Sequence, residues 1–550
     1  MIRPLLALAA VLMPALAQAQ PVATPPKLLV VISVDQFSAD LFAEYRAHFT
    51  GGLKRLADGV VFPSGYQSHA ATETCPGHST ILTGDHPART GIIANNWVDP
   101  GLTSRKDNGV YCAEDETRGK SSSSKDYVPS PLHLLVPTLG DRMKAANPAS
   151  RVVAVSGKDR AAIMMGGHKT DQIWFLRPTD FAVFETLYDH TGTPPASVVR
   201  ANASIVAALA RPMGPMPLSP LCTTRSRAVP IGTTKSVGDG RFARPAGDKK
   251  LFRASPESDA VTATLAGDLI DEMKLGKGPA TDIIAIGMSA TDVVGHAYGT
   301  EGSEMCLQLM ALDNALGTLF ARLDKAKIDY AVTLTADHGG HDAPERNRRN
   351  AIPEDHRVTE DFTFETLSKQ VEQAVGLPGP VLLGSELGDV WFSRSLTAEQ
   401  RARAEARAIE LLKAQPDVAA VFTGAELEAT AAPKGPPETW TLAERARTSY
   451  YKGRSGDLVV LLRPRTVPIS ERSAVGGYVA THGSPWDYDR RVPMLFWRKG
   501  LAPFEQPNSV ETVDIAPTLA ALIGLPIPKG DVDGRCLDLI AGDASSCPAN

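Results

Sequence analysis

The chain has 550 residues, 43% hydrophobic and 22% charged, an ordinary globular composition with length enough for a large core and inserted segments. Its formal net charge of -5 is small for that size and excludes a global electrostatic case for nucleic acid or an anionic membrane surface. With 42 prolines and 46 glycines, many loops are expected rather than long helical arrays.

Taken in chain order, the first residues read as an export signal. Arg3 gives a weak positive start, residues 5–13 are a short apolar run, and Ala17-Gln18-Ala19 is a small-residue cleavage pattern. Cleavage near Ala19 would place the mature chain in the periplasm or outside the cell. The apolar run is too short to cross a bilayer, and no later stretch holds the roughly 18 apolar residues a membrane helix needs, so no membrane span is expected. Six cysteines (Cys75, Cys112, Cys222, Cys306, Cys536 and Cys547) fit three disulfides in an oxidising compartment; 15 pairings are open, and Cys536 with Cys547 is favoured by proximity. No cysteine spacing suits thiolate ligation of a metal.

Residues 27–35 form a β-branched apolar run ending in Asp35, the pattern of a fully buried strand in a parallel sheet. A helical stretch follows over 41–56. Thr74-Cys75-Pro76-Gly77-His78 then reads as a loop entering a helix, with proline near the first turn, Gly84 as the stop and Thr74 at the N-terminus, where an anion is favoured. Further buried strands are expected at 151–156, 282–288, 330–336 and 494–497, with a helix over 306–323 between them. This alternation predicts an α/β fold, a three-layer α/β/α doubly wound and mostly parallel sheet. Two stretches break the rhythm. Residues 166–255, rich in Pro, Gly, Thr and Arg, read as an insertion or cap; 367–479 carry their own strand and helix pattern (381–392, 399–414, 418–422, 458–462) and read as a small α+β subdomain. The expected division is a signal peptide 1–19, catalytic core at 20–165, 256–366 and 480–550, the insertion 166–255 and the subdomain 367–479.

Acids and imidazoles cluster just after the apolar strands, where open α/β sheets bind ligands. Asp292 and His296 are four apart and share a helix face; Asp337 and His338 end a strand; His482 lies in Thr481-His482-Gly483; Asp35 completes three carboxylates and three imidazoles. Each alone has a plain structural explanation, but their common location favours a two-metal site. Oxygen and nitrogen donors without thiolate suit zinc.

These residues resemble the alkaline phosphatase superfamily, and within it the single-chain bacterial alkaline phosphatases with a threonine nucleophile (phosphate-irrepressible type), relatives of the nucleotide pyrophosphatase/phosphodiesterases. The resemblance implies Thr74 as nucleophile and Asn95 as a phosphate ligand. It implies one zinc on Asp35, Asp337, His338 and Thr74, a second on Asp292, His296 and His482, and leaves a structural calcium open. The sulfatase branch does not match, because Pro76 follows Cys75 directly and no arginine comes close behind. Lys158-Asp159-Arg160 resembles the monoesterase branch. In an extended segment Lys158 and Arg160 would face one way, and two cations favour the extra charge of a monoester over a diester. The expectation is therefore an exported, zinc-dependent alkaline phosphatase that hydrolyses phosphate monoesters through a phosphothreonine, with inorganic phosphate as product and inhibitor. A phosphodiesterase or nucleotide pyrophosphatase with the same metals is the alternative.

Overall fold

The structure, a computed structural model, describes residues 24–548 apart from 103, 106–107, 120–126, 188–191, 351, 385–387 and 543; the expected signal peptide lies outside the described residues. A ten-stranded sheet organises the chain, in the order Phe504–Glu505, Val60–Tyr66, Arg491–Arg498, Tyr330–Thr335, Leu28–Val34, Asp282–Met288, Val152–Ser156, Gln172–Leu176 and Phe184–Glu185, with Val510–Glu511 also paired to Val60–Tyr66. The five strands from Tyr330–Thr335 to Gln172–Leu176 run parallel, and Arg491–Arg498 is antiparallel to its neighbours.

Leu28–Val34 shows why the sheet is double-faced. All seven of its residues are buried. Leu28, Val30, Ile32 and Val34 join the core made with Ala39–Tyr45, Pro256–Glu272 and Ser303–Lys325, while Leu29 and Val31 join the core under Thr74–Thr83, Asp159–Gly166 and Ile515–Leu522. Side chains alternate across a strand, so a continuous apolar run is what burial on both faces requires.

The structure departs from the sequence reading in several places. The helix expected over 41–56 is two, Ala39–Tyr45 and Gly52–Ala57. The break is held by Asp313, whose carboxylate accepts from Thr50 N and Gly51 N at 2.7 Å and from Leu53 N at 2.7 Å, the service an N-cap side chain usually supplies. The stretch 166–255 does more than insert, because Gln172–Leu176 and Phe184–Glu185 extend the main sheet. Val60–Tyr66 escapes sequence reading because Pro63, Ser64 and Gly65 interrupt its apolar pattern. The strand accommodates them opposite a register shift between Val492 and Met494. Within 367–479 a separate sheet runs Leu382–Leu383, Asp389–Phe392, Leu458–Leu462 and Val418–Thr423, so the single strand expected over 381–392 is two. Phe364–Val375 and Ala398–Lys413 share its core through Val371, Ala404, Ala408 and Leu412.

Three disulfides form: Cys75–Cys112, Cys222–Cys306 and the expected Cys536–Cys547. The first ties the Thr74 helix to the hairpin Asn96–Val98 and Gly109–Tyr111; the second ties the segment around 222 to the long helix Ser303–Lys325.

Candidate metal centre

Four adjacent parallel strands deliver the chemistry at their C-terminal ends. Leu28–Val34 leads to Asp35, Asp282–Met288 to the helix Ala290–Tyr298 carrying Asp292 and His296, Tyr330–Thr335 to Asp337 and His338, and Val152–Ser156 to Lys158. His482 arrives from the loop before Arg491–Arg498. The helix Thr74–Thr83 begins at Thr74 itself and ends on Gly84, whose positive φ of 79° closes the last turn. Gly77 lets this helix lie directly on the strand end, since a Cβ there would overlap the Asp337 carbonyl.

All six expected ligands converge. Asp292 Oδ1 lies 3.3 Å from Nε2 of both His296 and His482. His338 Nε2 is 3.2 Å from Asp337 Oδ2, and its ring stacks on His482 with centroids 3.5 Å apart. In two groups the candidate ligand atoms lie within 4.8 Å of one another: Asp292 with His338 and His482, and Asp35 with His78 and Asp337. His338 thus stands on the boundary between the two carboxylate clusters, rather than only with Asp35 and Asp337.

The backbone prepares these imidazoles for a cation. Nδ1 of His296 bonds to the Ala480 carbonyl at 2.9 Å, Nδ1 of His338 to Gly339 O at 2.8 Å and Nδ1 of His482 to Thr72 O at 2.8 Å. Each contact sets the tautomer and leaves Nε2 as the acceptor facing the carboxylates, the usual outer arrangement of metal-binding histidine. Asp35 Oδ1, Asp292 Oδ1, Asp337 Oδ2 and His338 Nε2 are buried without a hydrogen-bond partner among the described residues. Orphaned buried acceptors are costly, so a divalent ion fits this donor set. Burial, reinforced by the neighbouring His338, pushes the His482 imidazole down to about 4, keeping it neutral as a ligand must be.

His78 is a participant the sequence reading did not single out. Its Nδ1 bonds to Thr74 O at 2.8 Å and lies 3.3 Å from Asp337 Oδ2, while Nε2 is 3.3 Å from Asp35 Oδ1. The signal was present in the spacing: His78 is four residues beyond Thr74, one helical turn on the same face.

The phosphate-binding candidates also meet at Thr74, which is 1% exposed. Lys158 Nζ lies 3.5 Å and Arg160 Nη2 3.4 Å from Thr74 Oγ1. The route differs from the extended segment expected: Lys158 is the extended residue before the helix Asp159–Gly166, and Arg160 stands in that helix's first turn. Asp159 turns away and accepts from Tyr111 at 3.0 Å and Tyr127 at 2.7 Å. Lys158 also reaches Asp292 Oδ2 at 2.6 Å and Asp35 Oδ2 at 3.0 Å, spanning both clusters. Burial disfavours its charge, but Asp292 and Asp35 outweigh that and raise its pKa. Asn95 Oδ1 accepts from Cys75 N at 2.8 Å, and its own backbone N–H donates to Glu73 at 2.8 Å, which fixes the side chain beside the Thr74 helix start.

Known proteins carry the same plan. The family model for type I phosphodiesterase / nucleotide pyrophosphatase matches residues 29–485. Alkaline phosphatase PhoK of Sphingomonas sp. is 58% identical, covering 96% of this chain and 93% of that protein. Alkaline phosphatase PhoD of Zymomonas mobilis is 49% identical, covering 95% and 89%. The crystal structure of wild-type alkaline phosphatase PafA superposes with a TM-score of 0.81 at 26% identity, covering 94% of this chain and all of that one. The chain belongs to the type I phosphodiesterase / nucleotide pyrophosphatase family, within the alkaline phosphatase superfamily.

Proposed function

We propose that this protein is an exported alkaline phosphatase that hydrolyses phosphate monoesters through a covalent phosphothreonine on Thr74, with zinc on the two carboxylate–imidazole clusters. The observation that carries the reading is the pair Lys158 and Arg160, both within 3.5 Å of Thr74 Oγ1. Relatives at 58% and 49% identity bear the name alkaline phosphatase, which supports it. The three disulfides favour an oxidising compartment, and no helix among the described residues is long and apolar enough to cross a membrane.

Bound zinc would supply Lewis-acid charge that makes a hydroxyl more acidic and steadies oxygens in transit. Asp35, Asp337 and His338, with His78 beside them, would hold it next to Thr74; Asp292, His296 and His482 would hold it on the side of the departing alcohol. Thr74 Oγ1 loses its proton to solvent and attacks phosphorus in line. The bond from phosphorus to the alcohol oxygen breaks, and the alcohol takes up a proton from water. Lys158, Arg160 and the Asn95 amide bind the nonbridging oxygens, where charge must be steadied through a loose transition state. Water then attacks the phosphothreonine, releasing inorganic phosphate and restoring the hydroxyl. Tyr111 and Asp159 overcome burial to keep Arg160 charged, and Asp159 is itself held by two tyrosines, so the guanidinium is oriented before substrate arrives.

The family's name includes phosphodiesterases, which keeps a diester preference as the second reading. Comparing p-nitrophenyl phosphate with its bis ester decides between them. A kcat/KM at least about 10² higher for the monoester is expected from two extra cations; a preference for the bis ester would overturn the assignment.

A further inference from the structure

On the side of Asp292 and His296, several residues are arranged around the centre without serving either metal cluster or the phosphoryl oxygens. Tyr478 stacks on His296 with ring centroids 4.5 Å apart and planes 18° from parallel, yet it is 46% exposed, leaving one aromatic face open. Arg253, the last residue of the helix Lys249–Arg253, lays its guanidinium 4.0 Å from the centroid of Phe181. Its Nε is buried with no hydrogen-bond partner, and no carboxylate pairs with it among the described residues. Three buried arginines elsewhere do have a carboxylate: Arg244 has Glu257, Arg346 has Asp342 and Arg357 has Glu345.

The position of Arg253 is built. Asp180 accepts from Arg177 at 2.9 Å and from Lys249 at 3.2 Å, pinning the turn that carries Phe181 to the helix that carries Arg253. Gln172–Leu176 runs parallel beside Val152–Ser156, so the turn carrying Phe181 leaves the sheet at the same end as Lys158, and Asp259, six residues beyond Arg253, accepts at 3.0 Å from Ala290 N at the start of the helix that carries Asp292. Arg253 is half-buried, so a cation with no carboxylate beside it keeps its charge-assisted donors for an anion that arrives from outside. The phosphoryl group already has Lys158 and Arg160.

We propose that Arg253, backed by Phe181, binds a second anionic group carried by the leaving alcohol, so that the preferred monoesters are those whose leaving group bears a carboxylate or a further phosphate-like group. This rests on the monoesterase reading and on the Asp292 cluster facing the departing alcohol. The test compares kcat/KM for 4-carboxyphenyl phosphate and 4-phosphonophenyl phosphate, each against the neutral 4-carbamoylphenyl phosphate. The unsubstituted enzyme should favour at least one anionic substrate by about 10-fold, the scale of one charge-assisted contact. Arg253→Ala should bring that ratio close to 1, with Arg253→Lys between the two. The substrate that shows the preference identifies the group, carboxylate or phosphonate. No preference in the unsubstituted enzyme, or a preference kept in Arg253→Ala, would overturn the proposal. The ratio is taken within one protein sample, so partial misfolding cancels. Were the monoesters inert and their methyl diesters hydrolysed, the monoesterase reading would fail, and the same ratio on the diesters would still judge Arg253.

Discussion

Two buried charge clusters flank the helix Thr74–Thr83, and they differ in what they leave undone. At its C-terminal side His86 is satisfied from within the chain: Nδ1 meets Asp533 Oδ2 at 3.0 Å, Nε2 meets Glu511 Oε2 at 3.0 Å, and Arg89 adds a bond to Asp533 at 2.9 Å. At the N-terminal side Lys158 meets one oxygen each of Asp35 and Asp292, but Asp35 Oδ1, Asp292 Oδ1, Asp337 Oδ2 and His338 Nε2 converge without a hydrogen-bond partner among the described residues. The first cluster fastens the chain's last segment to the core. The second is costly as protein alone and becomes reasonable once cations are counted. The first cluster is also partly open to solvent, whereas the second is closed off from it, so it is the unpaired buried ligand atoms, and not the charges alone, that mark the functional one.

Removing metal should separate the two most strongly. Chelation is expected to cost about 10⁴-fold or more in p-nitrophenyl phosphate turnover, with recovery on adding zinc, because an unassisted threonine hydroxyl is a poor nucleophile; turnover unaffected by a chelator that strips the protein would break the contrast. Thr74→Ala comes next, with a loss of about 10³-fold or more in kcat while metal content is retained. Lys158→Ala or Arg160→Ala should lower monoester kcat/KM by about 10²-fold and bis-ester kcat/KM by less, since each removes a charge-assisted contact to an oxygen that bears less charge in the diester. Equal losses on both esters would detach these cations from monoester choice.

The smallest effect on turnover belongs to the other cluster. Burial disfavours charged His86, yet Asp533 and Glu511 raise its pKa from 6.5 to about 10. Because the folded value lies above the unfolded one, this contribution is complete below about pH 6.5 and lost as pH rises through about 10. Asp533 and Glu511 are shifted downward, so their share disappears on the acid side, as pH falls below the ordinary carboxylate range. His86→Gln should lower stability by about 3 kcal/mol near pH 6, with the deficit shrinking toward pH 10, and change kcat/KM by less than about 2-fold. Thermal melts at several pH values check this; a deficit that persists undiminished at pH 10 would mean His86 acts through packing instead.

How much of this was legible in the sequence depends on how local the signal is. Residues 28–34, 152–156, 282–288 and 330–335 announce buried parallel strands by unbroken apolar runs, and the acids and imidazoles following them announce the site. Val60–Tyr66 was hidden by Pro63 and Gly65, and Gln172–Leu176 by the loop-rich stretch around it; both gain strand form from neighbours distant in sequence. Lys158 and Arg160 were brought together by a helix start, not the extended segment that spacing suggested. His78 was missed because its partners, Asp35 and Asp337, meet it only in the folded chain. Arg253 gave no sequence signal, since its lack of a counter-charge is a property of packing alone.

The most direct test of the two-metal centre is elemental analysis of the zinc-replete protein together with Asp292→Asn and Asp337→Asn. Two ions per chain are expected in the unsubstituted enzyme and about one in each variant, because each substitution removes the anionic donor of one cluster. Two ions retained in both variants, or none in the unsubstituted protein, would contradict it.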